Sequence, residues 1–234
     1  MKSANSAKLL DCMITLKKTF NLTKVCSNWK IHNEKYTQAR KFYEADKIKS
    51  QNSKDLFVSV DLQKVIMLPR CEMFKSLIFT QRLVAYNESF VPLKSMAKEQ
   101  PTAVIWHEAI RGRKKEDIIS VFAKYIQSQR DRLKITFWVD NCSAQNKNWA
   151  FLSFLVFVVN SSLIEASEIE VNYFEPEHTF MSADSFHHSV EKSLKTMKKV
   201  YDFKDYKLAI ENTKAKTIEM STEDFSLWKD HSKK

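Results

Sequence analysis

Gly112 is the only glycine among 234 residues, where average usage of about 7% would supply about sixteen. Phosphate-binding loops built on glycine are thereby excluded. The chain has no P-loop, no G-x-G-x-x-G and no G-x-S-x-G elbow. Readings as a P-loop nucleoside triphosphatase, kinase, dinucleotide dehydrogenase or standard α/β-hydrolase lose their usual support. The chain is still one that folds. It is 44% hydrophobic and 12% aromatic, and its 28% of charged residues are interspersed with apolar runs, enough for one sizeable core.

The cysteines Cys12, Cys26, Cys71 and Cys142 include no C-x-x-C pair, which argues against a zinc ribbon or a thioredoxin-like motif. The first residues, MKSANSAKLLDC, are too polar for a secretory signal, and the longest apolar run, Ala150 to Val159, is too short to span a bilayer. The sequence therefore reads as a soluble, intracellular protein with reduced thiols and no membrane partner. The net charge of +10 is unevenly placed: residues 1–55 hold 12 Lys/Arg against 5 Asp/Glu, and residues 56–177 hold 15 against 14. A basic arm on a near-neutral body suits a polyanionic partner such as nucleic acid, or simply solubilises the chain.

Three segments are expected: a basic helical arm at 1–55, an α/β domain at 56–205 and a polar extension of short helical pieces at 206–234. In the arm, Asn28 to Ser50 reads as a helix, followed by the linker SQNSKD (50–55). Strands are expected at Leu56–Leu62, Phe74–Tyr86, Ala103–Glu108, Leu133–Asp140 and Glu168–Phe174, and helices at Glu116–Arg130, Trp149–Asn160 and Ser182–Val200. The helix at 149–160 is apolar on all sides, so Trp149, Phe151, Phe154 and Phe157 read as core. The order β-β-β-α-β-α-β-α, with a meander followed by helical crossovers, is that of a ribonuclease H-like mixed sheet.

In such a sheet the first and fourth strands are parallel neighbours. Alternation puts Asp61 opposite Val58 and Val60, and Asp140 opposite Phe137 and Val139. The two carboxylates would then stand side by side. A third acid from the following helix would be Asp184 or Glu191, seven residues apart on one face. Three such carboxylates suit two hard cations, Mg²⁺ or Mn²⁺, acting on a phosphodiester. Asp is also common at strand ends for reasons of capping alone.

Other residues admit two readings. His178, His187 and His188 can meet a phosphate or merely begin a polar helix. Gln145, Asn146, Lys147 and Asn148 can touch a nucleic-acid backbone or cap the next helix. Arg111, Arg113, Lys114 and Lys115, in RGRKK, can contact phosphates, serve nuclear import or form a solvated turn.

The stretches VDLQKVIMLP (60–69), VDNCSAQNKNWAF (139–151) and HTFMSADSFHHSVEK (178–192), with WHEAIRGRKKEDI (106–118) between them, resemble the ribonuclease H-like, DDE-type domain of transposon-derived proteins of animal genomes. The resemblance covers roughly residues 28–210. It implies that Asp61, Asp140 and Asp184 are the metal-binding acids, with Glu191 accessory. It further implies a transposase-like nuclease or strand-transfer activity on DNA, a nuclear location (the alternative being cytoplasmic) and room for a homo-oligomer. Two departures stand out: Cys142-Ser143-Ala144-Gln145 lies where glycines are frequent, and Glu177 where a glycine often precedes the histidine. Relatives tend to carry an upstream DNA-binding or cysteine-rich region, so a truncated copy is one expectation. The alternative function is a domesticated, catalytically silent module that binds nucleic acid or protein.

Overall fold

The computed structural model describes residues 22–49, 54–71, 79, 81–93, 99–226 and 228. Helix α1 runs over Leu22–Lys49; strands β1 (Asp55–Leu62), β2 (Ile66–Leu68), β3 (Arg70–Cys71), β4 (Leu83–Pro92) and β5 (Thr102–His107) follow. Then come α2 (Lys115–Ser128), β6 (Lys134–Val139), α3 (Trp149–Val159), β7 (Glu168–Tyr173), α4 (Ser182–Met197), β8 (Lys199–Val200), α5 (Phe203–Glu211) and β9 (Lys216–Glu219). The fold is α/β with a mixed sheet in the order β7-β6-β1-β4-β5-β9, and β2 is added on β4. β1, β6 and β7 are parallel to one another, β4 is antiparallel to β1 and β5, and β9 is parallel to β5.

Both faces of the sheet are covered. On one, Val58, Val60, Phe137 and Val139 pack against Ile118, Phe122, Tyr125 and Ile126 of α2 and Phe151, Phe154 and Val158 of α3. On the other, Phe57 and Trp138 pack with Tyr43 of α1, Phe186 and Val190 of α4 and Tyr206 of α5. Each such side chain taken from water contributes on the order of 1.5–3 kcal/mol, and this doubly covered sheet explains the continuous apolar runs of β1 and β6.

The strand expected at 74–86 is displaced. Residues 74–78 and 80 lie outside the described residues, and β4 begins at Leu83 and continues through Asn87, Glu88 and Ser89 to Pro92. That polar triplet imitates a strand end, yet all three residues are buried. Strand β9 takes the place of one of the expected short helical pieces, pairing Thr102–Ile105 of β5 with Lys216–Glu219. Helix α3 is not buried all round. Phe151, Phe154, Leu155 and Val158 are inside, whereas Trp149 is 80% and Val156 62% exposed, and Phe157 and Leu152 are partly so. A helix laid on one face of a sheet buries only the stripe that meets it.

The basic arm helix α1 packs on the sheet. Its Tyr43 is 1% exposed, meets Trp138 and Phe174 edge-on, and accepts a hydrogen bond from Ser182 N at 2.9 Å. Asp46 Oδ2 accepts from Trp138 Nε1 at 3.0 Å. Lys30, Lys35, Lys41 and Lys49 remain on the outer side.

Candidate active site

The carboxylates gather where β1 and β6 end. Val60 is registered against Val139 in the parallel pair, so the next residues, Asp61 and Asp140, leave adjacent strands at one edge of the sheet. Helix α4 crosses above them and is pinned there by its first turn. Ser182 N donates to Tyr43 Oη, Ala183 N donates to Ser59 Oγ at 3.0 Å, and Asp184 Oδ2 accepts from Met181 N at 2.7 Å. These contacts satisfy orphan amides that every helix start leaves. They also carry Asp184 to Asp61. Burial first, then the charge of Asp184, then that of Asp140, raise the Asp61 pKa to about 7.

Asp140 is oriented from the other side. Its Oδ1 accepts from Asn146 Nδ2 at 2.6 Å, and burial nevertheless keeps its pKa above the ordinary value. Asn146 is 4% exposed and its carbonyl accepts from Tyr173 Oη, so it is a support for Asp140 within the turn. Asn148 caps α3, its Oδ1 accepting from Phe151 N at 3.0 Å. Lys147 is exposed and lies over the Tyr173 ring, 5.3 Å from its centroid, and Gln145 is half-buried in the same turn.

His187, one turn after Asp184, completes the wall. Its Nδ1 stands 3.6 Å from Asp61 Oδ2 and its Nε2 hydrogen-bonds Ser89 Oγ at 3.0 Å. The Ser89 hydroxyl donates to Asn87 Oδ1, so Nε2 is the donor and the lone pair of Nδ1 faces Asp61. Burial lowers the His187 pKa to about 4, which keeps the ring neutral. Asn87 Nδ2 donates in turn to Gln63 Oε1, which also accepts from Tyr206 Oη. A buried polar chain thus runs from Asp61 into the interior.

Asp61, Asp184, His187, His188 and Glu191 line a cleft of about 570 Å³, and Lys64, Arg70 and Arg82 bring positive charge to it. Arg70 Nη2 pairs with Glu191 Oε2 at 3.0 Å, so Glu191 is held by a guanidinium, about two turns along α4 from Asp184. His178 is taken up by the arm: it stacks on Tyr36 at 4.0 Å between ring centroids. Arg111, Arg113, Lys114 and Lys115 are exposed between β5 and α2, at the same end of the sheet but two strands away from β1.

The donors at this edge are hard carboxylate oxygens, the kind Mg²⁺ or Mn²⁺ takes. Among the described residues no group of three or more His, Cys, Asp or Glu is placed to hold a metal ion. On the α2–α3 face of the sheet, away from the cleft, there is a buried carboxylate oxygen without a partner. Glu88 of β4 is 2% exposed, and its Oε2 finds no donor among the described residues. Burial, then the charges of Asp61 and Asp140, push its pKa well up. In the cleft, the charges of Asp184 and Asp140 acting on Asp61 mark an acidic site whose oxygens are the kind a divalent cation takes. Sequence reasoning missed Glu88, because its triplet reads as a turn, and missed the cleft cations Lys64, Arg70 and Arg82, which come from the β1–β2 loop, β3 and the residue before β4. A glutamate between Asn87 and Ser89, in the midst of Leu83–Pro92, was the available signal.

Together these features define an α/β protein whose titratable side chains converge on an acidic, basic-rimmed cleft at one end of its sheet. The chain belongs to the family described as Domain of unknown function (DUF7869), which matches residues 104–230. That stretch includes Asp140, Asp184 and Glu191, while Asp61 and Glu88 precede it. No curated protein and no solved structure matches the chain. No helix among the described residues is long and apolar enough to cross a membrane.

Proposed function

We propose that this chain is a ribonuclease H-like domain of DDE type that cleaves or joins DNA phosphodiesters with two divalent cations. The observation that carries the reading is the placing of Asp61 and Asp140 on adjacent parallel strands with Asp184 brought over Asp61 by α4. The strand order supports it: with the five longer strands counted along the chain, leaving β9 aside, the sheet runs fifth, fourth, first, second, third.

In this reading Asp61, Asp140 and Asp184 would hold the ions. Bound there, Mg²⁺ or Mn²⁺ supplies the activation of a water or 3′-hydroxyl and the stabilisation of the leaving oxygen. The protein's own part is positional. Asn146 fixes the Asp140 carboxylate, His187 walls the cleft beside Asp61, and Ser59 and Tyr43 hold the start of α4. Lys64 and Arg82 at the cleft, and Arg111, Arg113, Lys114 and Lys115 further along the edge, meet phosphates, giving salt-sensitive binding without base readout. Action on DNA agrees with a nuclear location.

The test is nicking of supercoiled plasmid with Mg²⁺ or Mn²⁺, with product analysis for cleavage against joining. Metal-dependent nicking that Asp61→Asn and Asp140→Asn each reduce by at least about 10²-fold is expected. Nicking that survives both substitutions would contradict the proposal.

A further inference from the structure

The two helix starts that frame the acids each carry an aromatic ring turned to solvent. Trp149, the first residue of α3, is 80% exposed, and Phe180, just before α4, is 68% exposed. Both are tied by short links to the carboxylates. Asp184 Oδ2 accepts from the amide that joins Phe180 to Met181, at 2.7 Å, so the Phe180 Cα lies within about 5 Å of that oxygen. Trp149 follows Asn146, the residue bonded to Asp140 at 2.6 Å, by three positions, a reach of at most about 11 Å. The turn between them is closed by Asn148 Nδ2, which donates to the Gln145 carbonyl at 2.9 Å. Helical side chains lean toward the N-terminus of their helix, so Trp149 projects back toward the edge where β6 ends. Helix α3 covers one face of the sheet and α4 the other, so the two rings flank the acids from opposite faces. Cations stand near them: exposed Lys147 beside Trp149, and Lys64 and Arg82 in the cleft.

Packing does not account for these rings. Phe151, Phe154 and Val158 fill the α3 side of the core, and Phe186 and Val190 fill the α4 side. An exposed ring beside a cation offers a face for a base and a charge for its phosphate, the combination that takes up unpaired nucleotides. Inside a duplex the base faces are already covered by their neighbours, and only unstacked bases can lie on an aromatic side chain. We infer that the strand held at this edge is single-stranded or locally unpaired nucleic acid, with one base stacked on Trp149, another on Phe180, and Lys147, Lys64 and Arg82 meeting its phosphates. The inference deepens the proposed function by naming its substrate class. It rests on the nucleic-acid reading of the site and does not need the divalent cations.

The experiment is fluorescence anisotropy of labelled oligo(dT) of about 15 nucleotides, and of a duplex of equal length, titrated with the full chain in EDTA at several salt concentrations. Wild type should bind the single strand more tightly than the duplex. Trp149→Ala and Phe180→Ala should each weaken single-strand binding by about tenfold. Both should keep the wild-type salt slope, because no cation has been removed, and the wild-type melting temperature, because both rings are exposed. Trp149→Phe and Phe180→Tyr should retain binding, whereas Phe180→Leu, apolar but without a π-face, should lose as much as the alanine variant. A wild type that prefers the duplex, alanine variants that bind the single strand as wild type does, or a Phe180→Leu that binds fully would overturn the inference. Plasmid nicking that persists in the same proteins would leave the proposed function standing. A wild type that binds neither DNA, in EDTA or with Mg²⁺, would overturn both.

Discussion

Asp61 titrates near neutrality because burial and two like charges oppose its ionisation, and this fixes the sign of a pH effect. Between its ordinary value of 3.8 and about 7 the folded chain holds a proton that the unfolded chain has released. Stability from this group therefore falls as pH rises through that window. Asp61→Asn should match wild type near pH 4 and exceed it above neutrality, by up to about 4 kcal/mol, as read from urea midpoints in the absence of divalent cations. His187 acts in the opposite sense. Neutral in the folded chain down to about 4, against an unfolded value of 6.5, it loses stability for the protein as pH falls between those values. His187→Gln should be the relatively more stable form at the acid end. A third residue is strained in its backbone. Glu177 has φ of 68°, in the left-handed region that favours glycine, at the position where the resemblance leads one to expect glycine. Glu177→Gly should hold or raise stability by up to about 1 kcal/mol, and Glu177→Val should lower it, by thermal melting. Gly112, by contrast, has no positive φ, and an added Cβ would meet Asp117 Oδ2 at an ordinary 3.7 Å. The one glycine is thus not where backbone freedom is needed. Asp61, Asp140 and Asp184 were legible because each sits at the end of a strand or the start of a helix, after an apolar alternation. Glu88 was not, since a buried acid inside a strand contradicts the pattern by which strands are recognised.

Among the elements, α1 is the one whose role was least visible. Its six lysines and Arg40 make it basic, but its placement is decided by Tyr43 and Asp46, two side chains that meet β6 and the start of α4. Periodicity could not find this, because one buried tyrosine and one aspartate do not make an apolar stripe. Tyr43→Phe should cost about 1–2 kcal/mol, leaving Ser182 N without its acceptor, and Tyr43→Ala about 3–5 kcal/mol. Guanidinium unfolding checks both. Under the proposed function, Tyr43→Phe should also lower nicking more than it lowers stability, since Asp184 is aimed by that turn. Strand β9 and the true span of β4 were hidden for related reasons. Lys216–Glu219 is too short to show alternation, and β4 carries its polar residues at its buried centre.

For the whole molecule, the sheet topology followed from the order of elements, because helical crossovers force β6 and β7 to lie parallel to β1, and β1 and β6 are neighbours as expected. What the order does not encode is which cations line the cleft. Lys64, Arg70 and Arg82 come together only when β2 folds back on β4. Replacing Lys64 and Arg82 with Ala should therefore lower the slope of log affinity for DNA against log salt by about one unit each, measured by fluorescence anisotropy at several salt concentrations. Equal slopes in variant and wild type would move the DNA path away from this cleft, toward the exposed Arg111–Lys115 segment. Under the proposed function the acids at the ends of β1 and β6 converge on a cation, and anomalous scattering from crystals of the full chain soaked in Mn²⁺ tests this. Anomalous density is expected between Asp61, Asp140 and Asp184 and should disappear in Asp61→Asn. Crystals that take up no Mn²⁺ at this edge of the sheet, or take it up with Asp61 and Asp140 uninvolved, would contradict it.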